Sequence, residues 1–197
     1  MKFKSADRLL ENMEEGRVYR REEIGAFSTS VDRDLKQLAS EKRIKKAATG
    51  LYFRPKNSPF GSLPPKQDEL VRAFLKSEDF LLTSLNNFNG LGVGLTQLAN
   101  EMLVYNRKRV GKFKLGGLLY NFQRPPNFPR AEEVNEEFLF VDLLNNYENL
   151  LEPPEKLWSS LKRKAGELRK DELMKAADRF AKVRAGKMLK ELMANVS

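Results

Sequence analysis

The chain has 197 residues, 41% of them hydrophobic, with 36 Lys/Arg against 27 Asp/Glu, so it can bury a real core while carrying a formal charge of +9. It contains neither cysteine nor histidine, which excludes disulfides, thiolate nucleophiles, Cys-based zinc sites and the usual imidazole general base. With no run of about 18 apolar residues and no apolar leader in Met1–Asp7, the expectation is a cytoplasmic protein with no membrane segment, no metal or other cofactor and no catalysis.

The charge is unevenly spread. Residues 1–55 carry 13 Lys/Arg against 9 Asp/Glu (+4), residues 56–152 carry 11 against 12 (−1), and residues 153–197 carry 12 against 6 (+6). Basic ends flanking a neutral middle fit contact with a polyanion, and solvated helix faces would explain them equally.

In chain order, Ser5-Ala6-Asp7 precedes the periodic Leu9, Leu10 and Met13, and Gly16 can close a first helix over ~5–15. Val18-Tyr19 is a short extended link. Arg20–Ala26 is a short second helix with Ile24 inward. Phe27–Ser30 breaks it, and Val31, Leu35 and Leu38 recur at helical spacing to give a third helix. Ile44 opens a strand, Ala48-Thr49-Gly50 turns, and Leu51-Tyr52-Phe53 returns. Three helices and a hairpin in this order are the winged helix-turn-helix arrangement. Residues 56–65, rich in Pro, Gly and Ser, read as a linker and domain boundary. A helix over Gln67–Lys76 follows, then strands at Phe80–Leu85, Met102–Asn106 and Leu118–Arg124. Helices are expected over Phe138–Leu151, with Phe138, Val141, Leu144 and Tyr147/Leu151 on one face, then over Glu155–Leu168 and Asp171–Ala194. The expected fold class is therefore α+β: a winged helix-turn-helix at 1–55, a linker at 56–65, and a mixed α+β domain at 66–197 ending in basic helices.

A helix-turn-helix lays one helix in the major groove, with residues near its N-terminus on the base edges. Here that stretch offers Ser28, Thr29, Ser30, Asp32, Arg33 and Lys36. Arg33 is suited to a bidentate pair with guanine, and Lys36 to phosphate. Ser28 or Ser30 would equally serve as a helix cap. Arg20 and Arg21 open the second helix, where a backbone crossing is expected, although Glu22 and Glu23 adjoin them. The hairpin carries Lys42, Arg43, Lys45 and Lys46, and later Arg54, suited to phosphate or minor-groove contact. The expected partner is double-stranded DNA of the chain's own promoter, with about six phosphates neutralised.

Thr49-Gly50-Leu51-Tyr52-Phe53-Arg54-Pro55, Phe60-Gly61 and Pro64-Pro65 resemble the wing-to-linker passage of AbiEi-type abortive-infection antitoxins. Leu81–Leu85, Leu91–Gln97, Met102–Asn106, Lys112–Gly116 and Phe122–Pro125 are similar to that family's second domain, so the likeness spans roughly residues 18–150. The chain departs from the family's pattern at Asn86-Asn87-Phe88-Asn89-Gly90. The resemblance implies a transcriptional autorepressor and antitoxin of a type IV toxin–antitoxin operon, whose partner is a nucleotidyltransferase-like toxin. It assigns DNA contact to Ser28–Lys36 and Arg43–Lys46. The alternative is a winged-helix regulator whose second domain senses a ligand or dimerises, without a toxin. A magnesium-dependent nuclease built on carboxylates such as Asp142 is the remaining rival.

Other signals are weaker. Gly90-Leu91-Gly92-Val93-Gly94 departs from phosphate-loop spacing and reads as a tight chain passage. Glu132, Glu133, Glu136 and Glu137 read as solvated faces or as magnesium ligands, and Trp158 reads as core. The basic C-terminal helices fit DNA, an acidic partner or plain solvent exposure.

Overall fold

The first helix, α1 (Ser5–Glu11), buries Ala6, Leu9 and Leu10, and Gly16 at φ +81° turns the chain into strand β1 (Val18–Arg20). In this computed structural model, residues 5–59, 61–96, 98–150 and 154–194 are described; Phe60, Gln97 and Leu151, used above, lie outside them. By contact the chain divides into two units, Met1–Glu78 with Lys112–Leu119, and Asp79–Gly111 with Tyr120–Ser197. Together they make a mixed α+β fold. No described helix is long and apolar enough to cross a membrane.

In the N-terminal unit, α2 (Arg21–Ile24) is a single turn that buries Ile24 completely. Helix α3 (Val31–Ser40) follows, with Leu35 and Leu38 buried. These residues join Leu9, Leu10, Met13, Tyr19 and Ile44 in one apolar cluster. Each large side chain buried there is worth about 1.5–3 kcal/mol, which is what holds three short helices that would not be stable alone. Strands β2 (Lys45–Ala48) and β3 (Leu51–Phe53) complete an antiparallel sheet in the order β1-β3-β2. Val18 pairs with Phe53 and Arg20 with Leu51, while a bulge separates Lys46 from Ala48. Gly50, at φ +75°, supplies the left-handed residue of the β2–β3 turn, and its carbonyl accepts from Arg21 N at 2.9 Å.

Residues 56–65, expected as a linker, contain a hairpin of β4 (Lys56–Ser58) and β5 (Gly61–Leu63), and the contact boundary falls after Glu78. Helix α4 (Gln67–Leu75) buries Leu70, Val71 and Leu75 within the same unit. Lys112–Leu119, the tip of a later hairpin, also belongs here. Its Gly116 N–H donates to the Ala47 carbonyl at 2.9 Å, and Phe113 meets Phe74 at 5.0 Å between ring centres. Gly116 sits at φ +57°, and a Cβ there would meet Leu70 Cδ1 at 2.9 Å, so this approach favours glycine.

In the second unit, β6 (Phe80–Ser84) pairs antiparallel with β7 (Glu101–Asn106), and β9 (Leu118–Gln123) lies beside β7. Strand β8 (Gly111–Leu115), not foreseen from the sequence, precedes β9 and from Lys112 on belongs to the N-terminal unit. Leu85–Leu91 is a 3₁₀ turn, and Gly92 and Gly94, at φ +69° and +83°, carry the chain so that Leu91, Val93 and Leu95 are all buried. The glycine run is a core passage. Helix α5 (Glu136–Asn145), capped by the Asn135 side chain, is buried on most of its surface, and α6 (Pro154–Glu167) contributes Leu157, Leu161 and Ala165 to the same core. Trp158 packs partly buried against it. The long basic helix expected over 171–194 is two: α7 (Lys170–Phe180) and α8 (Val183–Ala194). Asn145 explains the break. Its Nδ2 donates to the Phe180 carbonyl at 2.9 Å, while its Oδ1 accepts from Lys182 N at 2.7 Å.

Candidate nucleic-acid interface

Helix α3 presents Thr29, just before it, and Asp32, Arg33 and Lys36 on its exposed side, while Leu35 and Leu38 anchor the opposite side. Arg33 is 73% exposed and approaches a carboxylate only at 3.6 Å, to Asp34 Oδ1. No ion pair holds Lys36 among the described residues. Thr29, Arg33 and Lys36 are thus available to a ligand.

The other expected contacts divide. Arg21 makes a bidentate pair with Asp32, Nε to Oδ1 at 2.7 Å and Nη2 to Oδ2 at 2.5 Å. This pair ties the single turn of α2 to the first turn of α3; the hydrogen bonds raise the Arg21 pKa and lower that of Asp32. Both groups are occupied in fixing the angle between the two helices. Arg20 turns the other way: its Nη1 donates to the Ala73 carbonyl at 2.5 Å and its Nε to Glu22 at 3.1 Å, so it serves packing against α4. Arg43 is held by Asp7 at 2.7 Å and Glu41 at 3.4 Å. Arg54 donates to the Leu10 and Met13 carbonyls and pairs with Glu15. Each of these arginines thus has a specific acceptor within the unit in the unbound chain.

Ser28 and Ser30 also resolve. Ser28 Oγ accepts from Ser30 N at 2.9 Å and donates to Asp34 Oδ2 at 2.6 Å, so it organises the entry to α3. Ser30 occupies the N-cap position, without a side-chain capping bond. In the unbound chain the Ser28 hydroxyl is engaged internally. The sequence reading missed Asp34, which is 1% exposed and takes hydrogen bonds from Ser5 (2.5 Å) and Ser28 on one oxygen. Burial pushes its pKa up, but the Ser28 and Ser5 hydroxyls and Arg33 outweigh this, leaving it below the ordinary carboxylate value. A signal existed: position 34 lies on the apolar stripe of Val31, Leu35 and Leu38, where a carboxylate must find donors.

The hairpin differs from expectation in where its charge lies. Its turn is Ala48-Thr49-Gly50, without a cation. The lysines sit at the other end, on the exit of α3 and the start of β2. Lys46 is exposed and without an ion pair among the described residues, whereas Lys45 donates to Ser62 Oγ at 3.1 Å. Lys42 is exposed at φ +59°, the left-handed residue that ends α3, and Arg43 N donates back to the Leu38 carbonyl at 2.9 Å. This is a Schellman-type close with lysine where glycine is the usual residue.

Elsewhere the acidic residues have internal partners. Glu136 pairs with Lys164, Glu137 with Arg169, and Glu133 accepts from Arg130 N. No cluster of three metal-binding side chains occurs among the described residues. Asp142 is 2% exposed and accepts from Tyr105 Oη at 2.7 Å and Asn146 Nδ2 at 3.1 Å. Beside it is a void of about 10 Å³, which has room for about one water.

No protein-family profile matches this chain, and no curated protein matches it. Among solved structures, the crystal structure of the RV2827C protein from Mycobacterium tuberculosis is similar at a TM-score of 0.60 and 14% identity, over 98% of this chain and 77% of that one. At that identity the likeness is one of fold.

Proposed function

We propose that the N-terminal unit is a winged helix-turn-helix that binds double-stranded DNA, and that the chain is a transcriptional autorepressor with an antitoxin role. The observation carrying the DNA reading is the pairing of a helix turn locked to α3 by Arg21–Asp32 with an α3 face on which Arg33 is 73% exposed, with Asp34 at 3.6 Å as its carboxylate neighbour, and Lys36 has no ion pair among the described residues. A rigid helix presenting a guanidinium and an ammonium is the arrangement that major-groove readout uses. The antitoxin role, with a nucleotidyltransferase-like toxin as partner, rests on the resemblance of residues 18–150 to the AbiEi type. Co-expression with a neighbouring toxin gene tests it.

The groove assignment is tested by Arg33→Ala and Lys46→Ala on duplexes from the region upstream of the gene. Arg33→Ala is expected to cost about 1–3 kcal/mol and to relax base preference, whereas Lys46→Ala weakens all sequences alike. If both variants bind as the wild type does, the assignment is wrong.

Lys42 allows stability and binding to be separated. A non-glycine residue in the left-handed region costs about 1–2 kcal/mol, and here it keeps a cation at the end of α3. Lys42→Gly is expected to raise the unfolding free energy by about 1 kcal/mol while weakening duplex binding. Urea denaturation and fluorescence anisotropy on the same preparation measure both.

A further inference from the structure

Helices α7 and α8 bury Leu173, Ala176, Ala185, Met188 and Leu192 against the core of the second unit. Between their other faces runs a groove of about 620 Å³. Its apolar lining is Met174, Ala177, Ala181, Val183, Leu189 and Met193, and its charged lining is Lys170, Lys182, Lys187 and Lys190 against the single carboxylate Asp178. Val183 is 80% exposed and Met174 38%, an unusual outlay of apolar surface beside four cations. Lys182 Nζ reaches the Asn145 carbonyl at 3.4 Å; Lys170, Lys187 and Lys190 have no ion-pair partner among the described residues.

We propose that this groove receives an acidic amphipathic helix from a partner protein. The reasons are shape and charge together. The 11 and 12 residues of α7 and α8 span about 16–18 Å at 1.5 Å per residue, enough for roughly three turns of an incoming helix. Apolar residues at i, i+3, i+4 and i+7 of that helix fill such a floor, and Met174 and Met193 adapt to their shapes. Carboxylates flanking that stripe meet the lysine rim, which sets orientation and speeds encounter. A nucleic acid would satisfy the lysines but bring no aliphatic side chain to the floor. A bilayer surface would favour a convex apolar face over a concave one. The inference is independent of the DNA reading of the N-terminal unit.

The test is a display selection on the full chain. The probe is a helical-peptide library with Leu, Met or Phe at the four stripe positions and either Glu or Lys at each flanking position. Binders are expected to be enriched in Glu at the flanks. An enriched peptide should lose at least tenfold in affinity for Val183→Asp, and also for the Lys187→Glu/Lys190→Glu double variant, with the circular dichroism melt of each unchanged. Both sites are on the exposed surface, so folding is separable from binding. No enrichment, enrichment of Lys, or undiminished binding to Val183→Asp overturns the proposal. So does displacement of the peptide by a 20-base-pair duplex or by phosphatidylserine vesicles, which would assign the groove to that ligand instead.

Discussion

At pH 8 the Asp142→Asn variant is expected to be more stable than the wild type by about 4 kcal/mol, and at pH 3.5 the two are expected to unfold alike. Burial raises the Asp142 pKa to about 7 from an ordinary 3.8; the Tyr105 hydroxyl, the Lys182 charge and the Asn146 amide pull it down only in part. One carboxylate oxygen has no hydrogen-bond partner among the described residues, which is the local reason that ionisation is disfavoured. The folded state therefore holds a proton on Asp142 across the interval in which the unfolded chain has lost it. Stability then falls as pH rises from about 4 to about 7, by about 1.4 kcal/mol for each of roughly three pK units. Asparagine keeps an oxygen for Tyr105 and puts an uncharged N–H₂ where the orphan oxygen lies. Subtracting the two pH profiles isolates this group from every other carboxylate. In a domain of this size the difference corresponds to about 10 °C in Tm. Equal melting at pH 8 would show that the ionised side chain is satisfied after all. Asp34 works in the opposite sense: its pKa is lowered, so its contribution is present at neutral pH and is lost in acid.

Duplex affinity is expected to fall about 150-fold between 50 and 200 mM salt, less than composition suggests. About six neutralised phosphates would give roughly a thousandfold loss. Arg20, Arg21, Arg43 and Arg54 are each held by acceptors of their own unit. Of the expected contacts, Lys36, Lys42, Lys45 and Lys46 have no carboxylate partner among the described residues, with Arg33 reserved for base edges. Four phosphate contacts at a slope of about −0.9 each, over a fourfold change in salt, yield about 150-fold. Removing Lys46 should lower the logarithmic slope by about one, a signature that loss of base contacts does not produce. A salt-independent affinity would argue for a neutral ligand and against the duplex. A slope near six would mean that the paired arginines exchange their carboxylates for phosphates on binding.

The order of elements over residues 5–53 was legible in the sequence, because apolar spacing and turn residues act within a few positions of themselves. Leu35 and Leu38 define α3 at helical spacing, and Thr49-Gly50 separates two short strands whatever surrounds them. The chain beyond residue 53 was less legible. Strand β8 is short and lysine-bearing, and the α7–α8 break is made by Asn145, 35 positions before Phe180. Of the charged residues, the sequence determined only that they exist and roughly where they fall. Which of them remain free was decided by tertiary structure. Arg20 finds a carbonyl 53 residues away, Arg43 a carboxylate 36 residues away, and Asp142 a phenol 37 residues away. The availability of a charge depends on what folding brings within about 3 Å of it, and local pattern carries no information about neighbours that distant along the chain.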